Sequence, residues 1–415
     1  MKAVYVPWLH MHQPLVWYNG KLMSNLQKML LSKDSKESWE AKLMAAAYKN
    51  PAKYCLQLSE NGYKPRIMLD FSGVLLESLN EMKNELKNVD VKGEKVGDII
   101  EIYRKVMKKY PETIEFAGTA YSHCYFPATP EEDWEYQIEY WRVVFKKLFG
   151  EKNLNRVKGF WLPEMGVPGD EEKLAKLISL LKEYGYEWMI LPIEALQGEK
   201  QLGFEQRTII TSQPHVIKAR NETFPIIFRV RYDFIDQQAG CDANGVYEKS
   251  VLASKIFSAA SNKPALIVPA SDGENGNVMM NEFFPSTFVP FFTKKVDSHV
   301  YSMTVSEFFE KYYSVKGRIE IKSVVNIVPT GSSWIGSHQN WLSGDRRLEI
   351  KQKIEKLSAD FHKILKNQNA NKDKLEEAKK VLLLAETSCY VYWGIDYWFD
   401  QGEEMIKYAK KKLGM

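Results

Sequence analysis

Up to about residue 300, the sequence alternates short apolar runs with amphipathic, charged stretches. The apolar runs predict strands at residues 4–6, 66–71, 114–117, 157–162, 188–191, 226–230 and 265–269. Helical periodicity lies between several of them, as at 96–109 and 171–184. Strands that alternate with helices pair in parallel. Seven strands over about 300 residues favour a barrel over an open sheet. An open dinucleotide-binding sheet would also carry a glycine-rich phosphate loop after its first strand, and no such loop follows the first run.

The sequence changes character beyond this alternating part. Long charged segments with helical periodicity predict helices at 305–313, 346–367 and 371–385. Two aromatic-rich segments, 331–341 and 386–399, interrupt them, and segments of this kind shape a site more often than they join helices. We therefore expect a barrel domain over residues 1–310 and a helical domain over 311–415, which contributes aromatic loops to the cleft.

Composition excludes several classes of protein. The net charge of +4 is too small to require nucleic acid or an anionic membrane as a partner, and no apolar run reaches the ~18 residues of a membrane span. Cys55, Cys124, Cys241 and Cys389 lie far apart without a CxxC pair, which favours reduced thiols. The N-terminus leaves no room for a signal peptide, so we expect a cytoplasmic protein. The aromatic content of 13% suits core packing or stacking platforms for sugar rings or bases.

Two histidines follow the first predicted strand. In His10-Met11-His12-Gln13-Pro14 both imidazoles fall on one side of an extended segment, because side chains alternate along a strand. They could bind a metal, although that chemistry needs further His and Asp ligands. They could instead hydrogen-bond a hydroxyl-rich ligand in the neutral form, or form a satisfied buried pair.

Carboxylates follow two other predicted strands. Glu164 comes directly after the fourth strand, and Asp272 and Glu274 come after the seventh. A barrel places its catalytic groups at the C-terminal ends of its strands. An Asp-Gly pair alone is a common polar turn. Two carboxylates at one barrel mouth, however, are what glycoside cleavage by an acid and a nucleophile requires. His123, at the end of the third strand, adds an imidazole to the same face.

Taken together, these motifs resemble those of glycoside hydrolase family 57, over nearly the whole chain. The segments that carry the resemblance are His10-Met11-His12-Gln13-Pro14, Gly118-Thr119-Ala120-Tyr121-Ser122-His123, Trp161-Leu162-Pro163-Glu164 and Ser271-Asp272-Gly273-Glu274-Asn275, in that order. The aromatic segments around Trp334 and Trp393 are similar to those of the α-amylase and amylopullulanase branch. The resemblance implies an α/β fold, an incomplete (β/α)7 TIM-like barrel followed by a C-terminal helical domain.

The resemblance also implies an activity and a set of roles. It implies a retaining enzyme on α-glucan polysaccharides or oligosaccharides, with Glu164 as the nucleophile and Asp272 as the general acid/base, their carboxyl groups ~5–5.5 Å apart. The implied substrate-binding residues are His10, His12, His123, Trp161, Glu274, Trp334 and Trp393. Neither a metal nor a cofactor is implied for these steps.

Several functions remain open at this point. Hydrolysis and 4-α-glucan transfer share one glycosyl-enzyme intermediate and differ in whether water or a sugar hydroxyl arrives second. A catalytically silent carbohydrate-binding protein would keep the aromatic cleft but would not need both carboxylates. A metal-dependent hydrolase would use His10 and His12. The sequence makes no prediction of oligomeric state, preferred chain length or preference between α-1,4 and α-1,6 linkages.

Overall fold

The computed structural model describes residues 1–230, 242–274, 278–366 and 372–414. Seven parallel strands within these residues form a ring, and the first and the last of them are each interrupted once. In chain order, the barrel strands are Ala3–Tyr5 with Trp8–Met11, Ile67–Phe71, Ile114–Phe116, Gly159–Trp161, Trp188–Leu191, Glu222–Phe228, and Ala265–Ile267 with Ala270–Asp272.

Neighbouring strands along the chain are also neighbours in the ring. The first strand pairs with the second and with the seventh, which closes the ring. Among the residues that the structure describes, a single bridge between Gly118 and Phe160 joins the third strand to the fourth, and one between Val230 and Pro269 joins the sixth to the seventh. The short strand Val300–Tyr301 adds to the N-terminal half of the first strand. The predicted incomplete (β/α)7 barrel is confirmed.

The barrel strands are mostly apolar because both of their faces are covered, and charged side chains such as Asp70 and Asp272 lie near their C-terminal ends. Alternation of side chains divides the first strand between two cores. Val4, Val6 and Trp8 belong to a cluster inside the ring, which also contains Trp188. Ala3, Tyr5, Leu9 and Met11 belong to the larger cluster between the ring and the helices.

Helices surround the ring and continue after it. The helices as far as residue 313 are Asn25–Leu30, Ser35–Glu60, Gly73–Glu81, Lys83–Leu86, Ile99–Lys109, Trp134–Phe149, Glu151–Leu154, Glu171–Glu183, Phe204–Thr211, Ala243–Phe257, Val278–Phe283, Val289–Lys294 and Val305–Tyr313. Those beyond it are Gln339–Leu342, Asp345–Leu365, Lys372–Ala385, Cys389–Tyr392 and Asp396–Leu413. The predicted helical C-terminal region is thus confirmed, including the helix starts near residues 346 and 371.

The remaining strands are short and lie outside the ring. The strand His215–Ala219 pairs antiparallel with the sixth barrel strand. On its other edge, His215–Ala219 pairs in parallel with Val324–Val325. The hairpins are Leu15–Tyr18 with Lys21–Ser24, Asp90–Val91 with Glu94–Lys95, and Ser314–Val315 with Arg318–Ile319. Short single-turn segments lie at Pro163–Met165, Ile193–Ala195, Glu199–Gln201 and Phe284–Phe288.

The C-terminal helices pack against the hairpin that follows the first strand. The backbone N–H of Trp17 donates to Gln401 Oε1 at 2.6 Å, and the Trp17 ring meets the edge of Tyr408 with centroids 5.1 Å apart. Tyr390 Oη donates to the carbonyl of Leu15 at 2.7 Å. These contacts join the last part of the chain to the mouth of the barrel.

A buried carboxyl pair lies between the helical region and the barrel. Gln137 Nε2 donates to Glu386 Oε2 at 2.7 Å, and His362 Nε2 lies 2.7 Å from Asp133 Oδ1. Glu386 Oε1 and Asp133 Oδ2 have no other partner among the described residues. The pKa of Glu386 is raised well above its usual range, chiefly by burial and also by the charge of Asp133 and a hydrogen bond to Asp133. A proton on Glu386 Oε1 therefore forms a hydrogen bond to Asp133 Oδ2 and satisfies both oxygens.

This pair predicts a pH-dependent stability. The pKa of Glu386 is higher in the folded than in the unfolded protein. The protonated carboxyl group therefore stabilises the fold fully below the pKa of the unfolded state, about 4.3, and this stabilisation is lost as the pH rises through the pKa of the folded state. The amide of Glu386→Gln stays neutral at every pH, so the variant does not lose this stabilisation as the pH rises. We expect the gain in Tm over wild type to be larger by several degrees at pH 8 than at pH 5, measured by thermal unfolding. Glu85→Gln, at an exposed position, controls for the lost charge; an equal gain at both pH values would contradict the pairing.

Candidate active site

The residues predicted for the site all line one cavity of about 370 Å³. They are His10, His12, His123, Trp161, Glu164, Asp272, Glu274, Trp334 and Trp393. Parallel register explains part of this convergence, since His10 lies opposite Asp70 on the second strand and opposite Asp272 on the seventh. The cavity therefore opens at the C-terminal ends of the barrel strands, where barrel enzymes place their chemistry.

Glu164 is held by two hydrogen-bond donors from outside the barrel. Its backbone is left-handed (φ 57°), a conformation that costs a non-glycine residue about 1–2 kcal/mol and marks a functional constraint. Ser388 Oγ donates to Glu164 Oε1 at 2.8 Å, and Trp334 Nε1 donates to Oε2 at 2.9 Å. Both carboxylate oxygens are thus fixed in orientation.

Glu164 and Glu274 lie in surroundings that are unfavourable for a charged carboxylate. Burial raises the pKa of Glu164 to about 7, and the charge of Asp272 adds to this while the bonds from Ser388 and Trp334 oppose it. Burial and the charge of Asp272 raise the pKa of Glu274 to about 8. Glu274 Oε1 accepts from the backbone N–H of His12 at 3.1 Å, and its Oε2 has no partner among the described residues. Glu164 and Glu274 therefore hold their protons to a higher pH than an exposed glutamate does.

His10 is paired with a buried aspartate. Its Nδ1 lies 2.5 Å from Asp70 Oδ2, and Trp8 Nε1 donates to Asp70 Oδ1 at 2.7 Å. Burial opposes a charge on the imidazole, but Asp70 outweighs it and raises the pKa of His10 to about 9. The ring also stacks on Trp161, with centroids 5.0 Å apart and planes 8° apart. The raised pKa favours a protonated His10, paired with Asp70, beside the carboxyl groups of the cavity.

His12 and His123 stack on each other, with centroids 4.2 Å apart. Burial and the neighbouring imidazoles lower the pKa of both well below the usual value, so both are neutral. Nδ1 of His12 lies 2.7 Å from Ser72 Oγ, and Nδ1 of His123 lies 2.9 Å from Ser388 Oγ. Since the Ser388 hydroxyl donates to Glu164, His123 carries its proton on Nδ1. His123 Nε2 is then an acceptor, and no described residue hydrogen-bonds to it.

Ser388 thus links the carboxylate of Glu164 to the imidazole of His123. A hydrogen bond to a charged group contributes about 1.5–3 kcal/mol, which corresponds to about 10-fold to 150-fold in rate if it acts in the transition state. We expect Ser388→Ala to lower kcat within that range, measured on a maltooligosaccharide, with little change in KM. Ser258→Ala, at an exposed serine, is the control, and an unchanged kcat for Ser388→Ala would contradict the link.

Aromatic rings from the two interrupting segments form one wall of the cavity. Trp334 and Trp341 both approach Tyr392, with centroid separations of 6.2 and 5.5 Å, and Tyr125 stacks on Trp341 at 4.2 Å. Trp393 is 56% exposed at the rim. Trp334, Tyr392 and Trp393 line the cavity and offer stacking surfaces to the apolar faces of a sugar chain, while the buried rings of Trp341 and Tyr125 pack behind them.

Arg347 fastens these two segments together. Its Nε donates to the carbonyls of Asn340 (2.7 Å) and Val391 (2.9 Å), and its terminal nitrogens reach those of Ser343 and Tyr392. Gly394, with φ +67°, lets the guanidinium approach, since a Cβ there would lie 2.4 Å from it. Arg347 is therefore a positioning residue for the aromatic wall.

Substitution of Arg347 by lysine removes the planar fork but keeps the charge. We expect Arg347→Lys to raise KM for long maltooligosaccharides several-fold, because the aromatic surfaces lose their spacing, while kcat stays within about twofold. Arg346→Ala, at the exposed neighbour that pairs with Asp400, is the matched control. A fall in kcat without a change in KM would show that Arg347 does not act through the wall.

Sequence reasoning missed Asp70 and Ser388. Asp70 had a signal, since it is an acidic residue within an apolar run. Ser388 had none, because a serine within an aromatic segment is unremarkable until the tertiary structure places it against Glu164. Three of the four cysteines are free, as predicted; Cys241 lies outside the described residues. None of the helices in the described ranges combines the length and apolarity that crossing a membrane requires.

A barrel whose strand ends carry buried carboxylates beside stacked aromatic rings defines an enzyme of the glycoside hydrolase class. Comparison with protein families places the chain more narrowly. Residues 6–322 match the model for glycosyl hydrolase family 57, and the chain belongs to that family.

Solved structures share the fold at low sequence identity. A family 57-type branching enzyme from Pyrococcus horikoshii is 16% identical, with 100% of this chain and 88% of that chain covered and a TM-score of 0.67. The α-amylase AmyC from Thermotoga maritima is 14% identical (100% and 93% covered, TM-score 0.67). A 4-α-glucanotransferase from Thermococcus litoralis is 17% identical (99% and 60% covered, TM-score 0.61). No curated protein matches the chain.

Proposed function

We propose that this protein is a retaining α-glycosidase that hydrolyses α-1,4 linkages, and some α-1,6 linkages, in glycogen- or starch-type glucans and maltooligosaccharides. The observation that carries the proposal is the fixed carboxylate of Glu164 in one cavity with Asp272, beside the cation of His10. The names of the solved structures, a branching enzyme, an α-amylase and a glucanotransferase, support α-glucans as the substrate class.

The proposed reaction has two displacements at the anomeric carbon. In the first, a Glu164 oxygen forms a bond to that carbon while the glycosidic bond breaks, and Asp272 gives its proton to the leaving oxygen. In the second, Asp272 takes a proton from water, whose oxygen attacks the same carbon and releases the Glu164 carboxylate. His10 stabilises the carboxylates electrostatically because its charge is held by Asp70.

The other cavity residues are proposed to hold the sugar chain. His12 and His123 present neutral imidazoles for hydroxyl groups, and Glu274 has a free carboxyl oxygen for the same purpose. Trp161, Trp334 and Trp393 line the cavity and would stack on sugar rings. We also propose the division into a barrel domain at 1–310 and a helical domain at 311–415, and a cytoplasmic location.

A product profile from one linear maltooligosaccharide tests the proposal. Wild-type enzyme should give only shorter products, separated by chromatography. Products both shorter and longer than the input would instead establish 4-α-glucan transfer, in which a sugar hydroxyl replaces water in the second displacement. An untouched substrate would contradict the proposed action on α-1,4-glucans and leave pullulan and α-galactosides as the next substrates to test.

A further inference from the structure

Two side-chain amides lie in the cavity, and the proposed mechanism uses neither of them. Gln13 and Asn25, which we call the amide pair, both line the cavity. Asn25 Nδ2 donates to Gln13 Oε1 at 2.9 Å. The backbone N–H of Asn25 donates to the carbonyl of Pro14 at 3.0 Å, which holds the start of the helix Asn25–Leu30 beside Gln13.

The amide pair leaves one donor and one acceptor for a ligand. Gln13 is only 7% exposed, and its Nε2 donates to the sulfur of Met44, a weak acceptor, at 4.0 Å. Asn25 Oδ1 accepts no hydrogen bond within the described part of the chain. A buried amide with so weak a partner gains free energy when a ligand supplies an oxygen acceptor. A sugar hydroxyl both donates and accepts, so it matches the two positions.

The amide pair lies on the side of the cavity that holds Asp272. Gln13 follows the first strand, which pairs with the strand segment that ends at Asp272, and the backbone N–H of His12 donates to Glu274 at 3.1 Å. Glu164 follows the fourth strand, across the ring of seven. In the proposed reaction Asp272 protonates the leaving oxygen, so the leaving sugar lies towards the amide pair.

Apolar groups extend this side of the cavity. Met29 lines it, and its sulfur lies 3.5 Å from Asn25 Nδ2. Trp398 lines it as well, and its ring lies against that of Tyr397 with centroids 5.1 Å apart. Lys28, on the same helix as Asn25, places Nζ 6.0 Å from the Tyr397 centroid, which brings this helix close to the two rings. The amide pair thus lies beside surfaces suited to the apolar face of a sugar ring.

We propose that Gln13 and Asn25 bind the glucose residue on the leaving-group side of the scissile bond, whose hydroxyl groups accept from Gln13 Nε2 and donate to Asn25 Oδ1. This inference rests on the proposed action on α-glucans and adds the residues that recognise the sugar that leaves. An acceptor sugar would occupy the same position in the second displacement. The amide pair therefore also determines how well a sugar hydroxyl competes with water.

Two substrates that differ in the leaving group test the role of the amide pair. Maltotriose carries a glucose where an aryl α-maltoside carries a phenol. Asn25→Ala removes the acceptor and frees Gln13 from its orientation. We expect kcat/KM to fall by about 10-fold on maltotriose, the order expected for one or two hydrogen bonds, and to stay within about twofold on the aryl α-maltoside.

Gln27→Ala is the matched control, because it removes an amide from the same helix that does not line the cavity. It should change neither rate. A general loss of structure in Asn25→Ala would lower both rates alike, so the difference between the substrates reports the contact with the leaving sugar. An equal fall on both substrates, or no fall on maltotriose, would overturn the proposal.

A crystal structure of Glu164→Gln with maltopentaose locates the sugar without any turnover. It should show hydroxyl oxygens of one glucose residue within about 3.2 Å of Gln13 Nε2 and Asn25 Oδ1. Bound sugar that contacts neither amide, or no bound sugar, would overturn the proposal. Sugar at the amide pair, combined with a wild-type enzyme that leaves maltooligosaccharides untouched, would instead contradict the proposed hydrolysis and leave the binding role of the amide pair standing.

Discussion

Glu164→Gln is expected to abolish turnover of maltooligosaccharides, lowering kcat/KM by a factor on the order of 10⁴ or more. The amide cannot form the covalent bond to the anomeric carbon, although it keeps the volume of the side chain. The protein should stay folded, because Ser388 or Trp334 can still donate to the amide oxygen and a buried carboxyl group with a raised pKa is removed. Product chromatography and thermal unfolding measure the two effects.

An external nucleophile distinguishes the loss of a nucleophile from general damage. In Glu164→Ala, azide can enter the vacated space and attack the anomeric carbon while Asp272 protonates the leaving oxygen. The product is a β-glycosyl azide, because a single displacement inverts the configuration. We expect azide to restore turnover in Glu164→Ala but not in Glu164→Gln, where the space is filled. Ordinary activity in Glu164→Ala without azide would overturn the assignment of Glu164 as the nucleophile.

Asp272→Asn is expected to show an effect that depends on the leaving group. General acid/base catalysis contributes about 10²-fold to 10⁴-fold, so cleavage of a maltooligosaccharide should fall by a factor in that range. An aryl α-maltoside whose phenol is a good leaving group needs no proton in the first step. The first displacement should therefore remain fast while the second is slow. The glycosyl-enzyme should then accumulate, and phenol should be released in an initial burst.

Glu274→Gln is the matched control for Asp272→Asn, since both carboxyl groups lie at the C-terminal end of the seventh strand and line the same cavity. It should lower the rate on both substrates by similar factors and give no burst, because it removes a hydrogen bond to the sugar rather than the proton donor. Rapid-mixing measurement of phenol release separates the two variants. A burst in Glu274→Gln and none in Asp272→Asn would exchange the two roles.

The sequence was sufficient for the parts of the fold that depend on local pattern. Fully buried strands read as apolar runs, and the carboxylates at their ends could be brought together by the geometry of a parallel barrel alone. The helix Ser35–Glu60 was missed because Pro51 interrupts its pattern, although Asp34 caps its start by accepting from the backbone N–H groups of Lys36 and Glu37.

The support of the site was less predictable than the site itself. Asp70 governs the charge of His10 across two strands, and Ser388 reaches Glu164 from 224 residues further along the chain. Neither contact has a spacing that a sequence pattern can show, because both depend on how distant elements pack. The same holds for Arg347, whose bonds to backbone carbonyls involve no particular partner side chain.

Both hydrogen bonds to Glu164 come from Trp334 and Ser388, beyond the last barrel strand. All seven barrel strands and both carboxylates therefore precede both donors in the chain. A chain that ended after the barrel would keep both carboxylates but would lack both hydrogen bonds to Glu164 and the aromatic wall. Possession of the two carboxylates and their orientation thus depend on separate parts of the chain.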